Sequence, residues 1–258
     1  MKPTRRLCTI LLAWLLSQAA IAENSPVLVI IIDDLGYRLE AGRQAAALPG
    51  KVNLAILPHT PNGRLVAKLG LAAGKEILLH TPMSNLSKVP LGHGGLTAAM
   101  SEQELRATLV RNIDSTPGVR GINNHTGSLL TTRREPMEWV MKELAARGLY
   151  YVDSRTTADT LAANVATEFG VPSLSRQVFL DNEVSSTAIH QQFEKLLAVA
   201  RREGTATAIG HPHDATLDYL QRQLPVVQRQ GYRLSLVSEV LAQKVASAPA
   251  VLSSAGAE

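Results

Sequence analysis

Short apolar runs rich in β-branched residues alternate with longer stretches of helical period along most of this chain. The strand-length runs fall at 27–32, 52–57, 77–79, 149–152, 178–180, 205–209 and 233–237, with a weaker one before Asn123. The first is a continuous apolar stretch, the pattern of a strand covered on both faces in a parallel sheet. Helical patterns fill the gaps. Residues 61–73 carry Leu65, Val66, Leu69 and Ala72 on one face, and Ser101-Glu102-Gln103-Glu104 reads as a capping box. Residues 136–147 place Met137, Val140, Met141 and Leu144 inward, with Gly148 as a stop. Residues 186–202 and 215–230 complete the series. With no linker-like stretch and no repeat beyond the β-α alternation, the pattern predicts one α/β domain, either a (β/α) barrel or a doubly wound sheet.

In both architectures the site lies where the carboxyl ends of the strands meet the following loops. The ionisable residues collect there. Asp33-Asp34 ends the first run, His59 follows the second and His80 ends the third. Asn124-His125 ends the weak run, Asp153 and Asp181 the next two, and His211 with His213 the one after. Five of the seven histidines therefore sit at strand exits, a placement that scattered surface histidines do not produce.

The two ends of the chain read differently. Lys2, Arg5 and Arg6 precede a short apolar core, and Ala20-Ile21-Ala22 supplies the small residues of a cleavage site, so residues 1–22 are expected to be a signal peptide. The apolar core is too short to span a bilayer comfortably, so no membrane anchor is expected after cleavage. The mature protein is then periplasmic or secreted. Loss of those three basic residues takes the formal net charge from +4 to +1, and no basic run remains to suggest nucleic acid. The only cysteine, Cys8, leaves with the signal, which excludes a thiol nucleophile, a disulfide or a cysteine metal site. Residues 246–258 are Ala/Ser/Pro-rich and are expected to be a disordered tail, leaving 23–245 as the domain.

Adjacent carboxylates such as Asp33 and Asp34 repel, and need a cation, a proton or nearby donors. His80, in Leu78-Leu79-His80-Thr81-Pro82-Met83, and His125, in Asn123-Asn124-His125-Thr126-Gly127-Ser128, supply imidazoles from two further strands. One carboxylate and two imidazoles make a facial set for a divalent metal, Zn²⁺ before others. In Gly210-His211-Pro212-His213, alternation places both rings on one face if the strand persists, one as a general acid and one on substrate or metal. Asp153 and Asp181 can each hold a histidine in one tautomer, or cap a turn. His59 has no motif around it, His93 lies on a glycine-rich loop, and His190 sits on an amphipathic helix. Ser84 and Ser128 lack a nucleophile elbow, and no phosphate cradle is present.

Asp33-Asp34-Leu35-Gly36-Tyr37, His80-Thr81-Pro82-Met83, Asn123-Asn124-His125-Thr126-Gly127-Ser128, Val152-Asp153-Ser154, Phe179-Leu180-Asp181 and Gly210-His211-Pro212-His213 occur in this order. Together they resemble the divergent polysaccharide deacetylases, a branch of the NodB-like superfamily. The resemblance implies a deformed (β/α)7 barrel and metal-dependent hydrolysis of acetyl groups on sugars. By position it makes Asp33 the base, Asp34 and His80 metal ligands, and His211 the acid. Ordinary members carry a second metal histidine four residues after the first, where this chain has Ser84; His125 is expected to replace it. The expected scheme adds Asp153 or His213 as aids to His211, Asn124 on the oxyanion, and His213 and Asp181 on substrate. The substrate is expected to be peptidoglycan or another polysaccharide. A glycan-binding envelope protein without turnover, and a metal hydrolase of another bond, are the alternatives.

Overall fold

In a computed structural model describing residues 25–247, nine strands form one wholly parallel sheet. They are β1 (Val27–Leu35), β2 (Asn53–Ile56), β3 (Glu76–Met83), β4 (Val119–Thr126), β5 (Tyr150–Asp153), β6 (Ser173–Ser175), β7 (Val178–Phe179), β8 (Thr205–Gly210) and β9 (Arg233–Leu234). Their order is β6-β5-β4-β3-β2-β1-β8-β7, with β9 added on β1. The sheet curls into a half-barrel, the expected deformed (β/α) barrel. No ladder joins its end strands β6 and β7, which leaves a seam.

The helices that cover it are α1 (Leu39–Ala47), α2 (Gly63–Ala72), α3 (Glu102–Ser115), α4 (Arg134–Arg147), α5 (Ala162–Glu168), α6 (Ser186–Glu203), α7 (Asp214–Arg229) and α8 (Val237–Ser247). The Ser101–Glu104 capping box opens α3, and Gly148 closes α4 in the left-handed region. Among the described residues no helix is long and apolar enough to cross a membrane.

Alternation along the strands sorts side chains into two cores. Leu28, Ile30 and Ile32 of β1 pack outward beneath helices, as do Leu79 of β3 and Ile122 of β4. Val27, Val29 and Ile31, with Ala55, Leu78, Val152 and Ile209, face inward around Val237, Val240 and Leu241 of α8, which plugs one end of the barrel. That helix is pinned from the sheet. Asn53 Oδ1 accepts from the Val237 N–H at 3.0 Å, and Glu76 Oε1 accepts from Ser238 N–H at 2.9 Å and the Tyr150 hydroxyl at 2.8 Å. Gly121 makes room for that ring: a β-carbon there would lie 2.2 Å from it.

Several boundaries depart from the sequence pattern. The run at 233–237 is strand only to Leu234. Glu239 accepts from Leu236 N–H at 3.1 Å and the Ser235 hydroxyl at 2.8 Å, and this cap turns Val237 into the start of α8. Strand β3 extends to Met83 because its ladder with β4 continues from Leu78↔Gly121 to Met83↔Thr126, which puts His80 inside the strand. Helix α1 carries few large apolar residues and α5 is only seven residues long, so neither left a strong period. Helix α8 reaches Ser247, so the expected tail begins within it. The expected signal peptide and the rest of that tail lie outside the described residues.

Candidate active site

Alternation alone would send Asp33 and Asp34 to opposite faces of β1. Asp33 follows Val27, Val29 and Ile31 into the barrel and is 2% exposed. Asp34 escapes the alternation through a left-handed backbone, φ 56°, at a register shift between Ile32 and Leu35. Aspartate tolerates this conformation better than most residues, and it turns both carboxylates to one site. Gly36 follows with φ 121°, where a β-carbon would lie 2.1 Å from Thr60 Oγ1. The chain therefore needs glycine at that turn.

His80 and His125 share the inward parity of their strands, and their rings meet edge to face at 4.9 Å. Asp34 Oδ1 lies 3.1 Å from His80 Nε2 and 2.9 Å from His125 Nδ1, and the two nitrogens are 3.1 Å apart. Despite these distances, Asp34 Oδ1 is buried with no donor at hydrogen-bond geometry. Three donor atoms about 3 Å apart around one point, one of them an orphaned carboxylate oxygen, fit a first-row divalent ion with ligand distances of about 2.1 Å.

Asn123, to which the sequence motifs give no role, ties this triangle to Asp33. Its Nδ2 donates to Asp33 Oδ1 at 2.8 Å, and its Oδ1 accepts from His80 Nδ1 at 2.8 Å. That bond fixes the His80 tautomer whose Nε2 lone pair faces the triangle. The two aspartates are driven apart in acidity. Burial raises the Asp33 pKa despite the nearby histidines. Burial acts the same way on Asp34, but the close His125 and His80 rings outweigh it and lower its pKa far below the usual range. Paired carboxylates separated in this way suit different roles.

His211 lies level with Asp33 on the neighbouring strand, since Ile31 pairs with Ile209 and Ile32 with Gly210. Its Nδ1 donates to Asp181 Oδ1 at 2.8 Å. Burial disfavours the charged ring, yet the Asp181 bond and the charges of Asp33, Asp181 and Asp34 raise its pKa to about 9. Phe179 stacks on the same ring at 6.0 Å.

Other expected residues take different places. Asp181 has a fully buried side chain whose oxygens accept from the His211 ring and N–H and from the Thr216 hydroxyl, so it holds His211 in place. Asp153 points outward, not toward His211, and its oxygens accept from Arg155 N–H at 2.8 Å and the Thr160 hydroxyl at 3.0 Å. Asn124 has the same outward parity. Its Oδ1 accepts from the Tyr151 hydroxyl and Ser154 N–H, and its Nδ2 donates to Thr126 O, so its side chain is bonded into the wall on the far side of the strand from the triangle. The strand ends at Gly210, so His213 is an exposed residue before α7, its ring 6.2 Å from His211. Ser84 Oγ accepts from Ala98 N–H, and His59 pairs with Asn112 on α3, both away from the triangle.

Comparisons with known proteins concern the family and the fold. The uncharacterized protein YibQ of Escherichia coli K12 is 39% identical over 210 residues, covering 80% of this chain and 66% of that protein, so this chain spans about two thirds of the relative's length. The crystal structure of an uncharacterized protein from Agrobacterium tumefaciens C58 matches with a TM-score of 0.81 at 22% identity, over 84% of this chain and 89% of the other. The catalytic domain of peptidoglycan N-acetylglucosamine deacetylase from Eubacterium rectale matches with a TM-score of 0.54 at 13% identity, over 82% and 88%. These two structural likenesses concern the fold. Residues 30–241 match the family model described as divergent polysaccharide deacetylase, and the chain belongs to that family.

Proposed function

We propose that this protein is an exported, metal-dependent hydrolase that removes acetyl groups from a glycan of the cell envelope. One observation carries the reading: a three-donor cation triangle, a buried carboxylate and a carboxylate-held imidazole converge on one end of the barrel interior. A binding protein without turnover has no use for a buried carboxylate base and a protonated imidazole facing the same cation site. The peptidoglycan deacetylase among the structures of like fold makes an N-acetyl sugar a reasonable substrate class.

Asp34, His80 and His125 would hold the cation, Zn²⁺ being the first choice for a carboxylate and two imidazoles. When bound, it supplies Lewis acidity toward the acetyl carbonyl and lowers the pKa of a coordinated water. Asp33 accepts the proton of the attacking water, its raised pKa making it a better base than an ordinary aspartate. Asn123 holds Asp33 toward the site through Oδ1, and Oδ2, 3.5 Å from His80 Nε2, takes that proton. His211, protonated at neutral pH, gives a proton to the departing sugar nitrogen or oxygen, and Asp181 keeps its ring aimed. The products are acetate and a free amine or hydroxyl.

The test is metal analysis of the chain lacking residues 1–22, followed by acetate release from a panel of N- and O-acetylated glycans. Wild type should release acetate, and Asp33→Asn should lose release while keeping fold and metal. No release from any glycan by the metal-loaded protein, or undiminished release by Asp33→Asn, overturns the reading.

A further inference from the structure

Strand β5 runs into a turn whose backbone is tied down around Arg155. Asp153 Oδ1 accepts from the Arg155 N–H at 2.8 Å, Arg176 Nε donates to the Ser154 carbonyl at 2.6 Å, and Arg176 Nη2 donates to the Arg155 carbonyl at 2.7 Å. These bonds hold Arg155 at φ 47°, a left-handed conformation that long side chains seldom adopt. Its backbone is fixed, yet its exposed guanidinium makes no hydrogen bond or close ion pair among the described residues. Strain kept at a fixed, unpartnered side chain points to a ligand.

Arg176 stands beside it and, among the described residues, hydrogen-bonds to carbonyls and to no carboxylate. Burial, and then the charge of Arg155, lower its pKa to about 10. The guanidinium lies 3.7 Å over the Phe179 ring, and that ring stacks on His211. Both arginines line a cavity of about 510 Å³ at the seam, with Thr157, Gln177 and Arg202. Arg202 is already paired with Glu203, and the carboxylate of Asp153 is engaged by the turn itself. The charges of Asp153 and Asp33 reach Arg176 only through space, and Glu203 on the cavity wall is taken by Arg202. Among the described residues neither guanidinium is in direct contact with a carboxylate, and a guanidinium fork matches one in shape as well as charge.

We infer that Arg155 and Arg176 form a subsite for a carboxylate carried by the glycan, on the His211 side of the acetyl group being removed. This rests on the deacetylase reading only for the identity of the neighbouring chemistry. It selects acidic acetylated glycans, such as those with lactyl ether or uronate groups, over neutral ones.

Binding to the zinc-loaded Asp33→Asn protein, which holds substrate without turnover, tests it by calorimetry. The probes are a tetrasaccharide of alternating N-acetylglucosamine and N-acetylmuramic acid, and its methyl ester. The acid should bind about tenfold more tightly than the ester, as expected for one charge-assisted contact. The gap should shrink in ~0.5 M salt. Arg155→Gln, which removes no hydrogen bond, should close it, and Arg176→Lys, which keeps the charge but loses the fork, should narrow it. Equal binding of acid and ester by the Asp33→Asn protein, or an undiminished preference in Arg155→Gln, overturns the subsite. A clear preference for the acid with no acetate released by the wild type leaves the subsite standing and sinks the deacetylase reading instead.

Discussion

His211 is gripped twice by Asp181, through its ring Nδ1 at 2.8 Å and through its backbone N–H at 2.7 Å. The double contact fixes the end of β8 and the ring together, and makes the imidazolium the stable form near neutrality. An acid limb and an alkaline limb should bound the rate of acetate release, with the alkaline limb near pH 9, where His211 loses its proton. Asp181→Asn should move that limb downward, toward the ordinary histidine value of about 6.5. The same linkage acts on stability. A histidine pKa raised by folding stabilises fully below about pH 6.5, and the contribution disappears as pH rises through about 9. The melting-temperature deficit of Asp181→Asn should therefore be larger at about pH 6 than at about pH 10. An equal deficit at both would mean that Asp181 acts only through Thr216 and the backbone.

Asn123 couples Asp33, the proposed base, to His80, a proposed metal ligand, so its loss should be felt at both. Asn123→Ala removes the acceptor that fixes the His80 tautomer and should weaken zinc affinity roughly 10- to 100-fold in a chelator competition. Asn123→Asp keeps that acceptor but sets a second carboxylate against Asp33. A like charge raises the Asp33 pKa further, so the acid limb of the rate profile should move to higher pH while zinc is retained. An unshifted acid limb would remove Asp33 from the role of base.

The proposed third metal ligand, His125, can be tested by subtraction. His125→Ala should cut zinc from about one per chain to a small fraction under dialysis against a weak chelator. Ser84→Ala should leave zinc unchanged, because the Ser84 hydroxyl faces Ala98 N–H and not the triangle. Unchanged stoichiometry in His125→Ala would mean that a group other than this imidazole completes the site.

Much of this was legible in the chain, because a parallel barrel turns alternation into position. Counting from Val27, Val29 and Ile31 places Asp33 inside. The same count places His80 with Leu78, and His125 with Asn123 and Gly121. Other parts depended on contacts that no local pattern carries. The left-handed turn that brings Asp34 beside Asp33 arises at a register shift between strands. The choice of Asp181 over Asp153 as the partner of His211 is a matter of which strands are neighbours: β7 pairs with β8, and β5 does not. Asn123 was readable by parity alone, but an amide has no charge to draw attention to it.

That count also sets Asn124 on a different face from Asn123. It follows Asn123 directly and so falls on the opposite face of β4, where its Oδ1 accepts from the Tyr151 hydroxyl and Ser154 N–H, each at 3.0 Å. Asn124→Ala would leave these two buried donors without their acceptor, at about 1–3 kcal/mol for each group left unsatisfied, while the Thr126 carbonyl keeps the Thr156 hydroxyl. For a domain of this size that corresponds to a fall in melting temperature of about 2–4 °C per kcal/mol. Acetate release by the folded fraction should change little. An oxyanion donor behaves in the opposite way, its removal lowering kcat by about 10²–10³ while the melting temperature holds. Thermal melts and kcat on the same preparation of Asn124→Ala therefore decide whether this amide builds the wall of the site or takes part in the reaction.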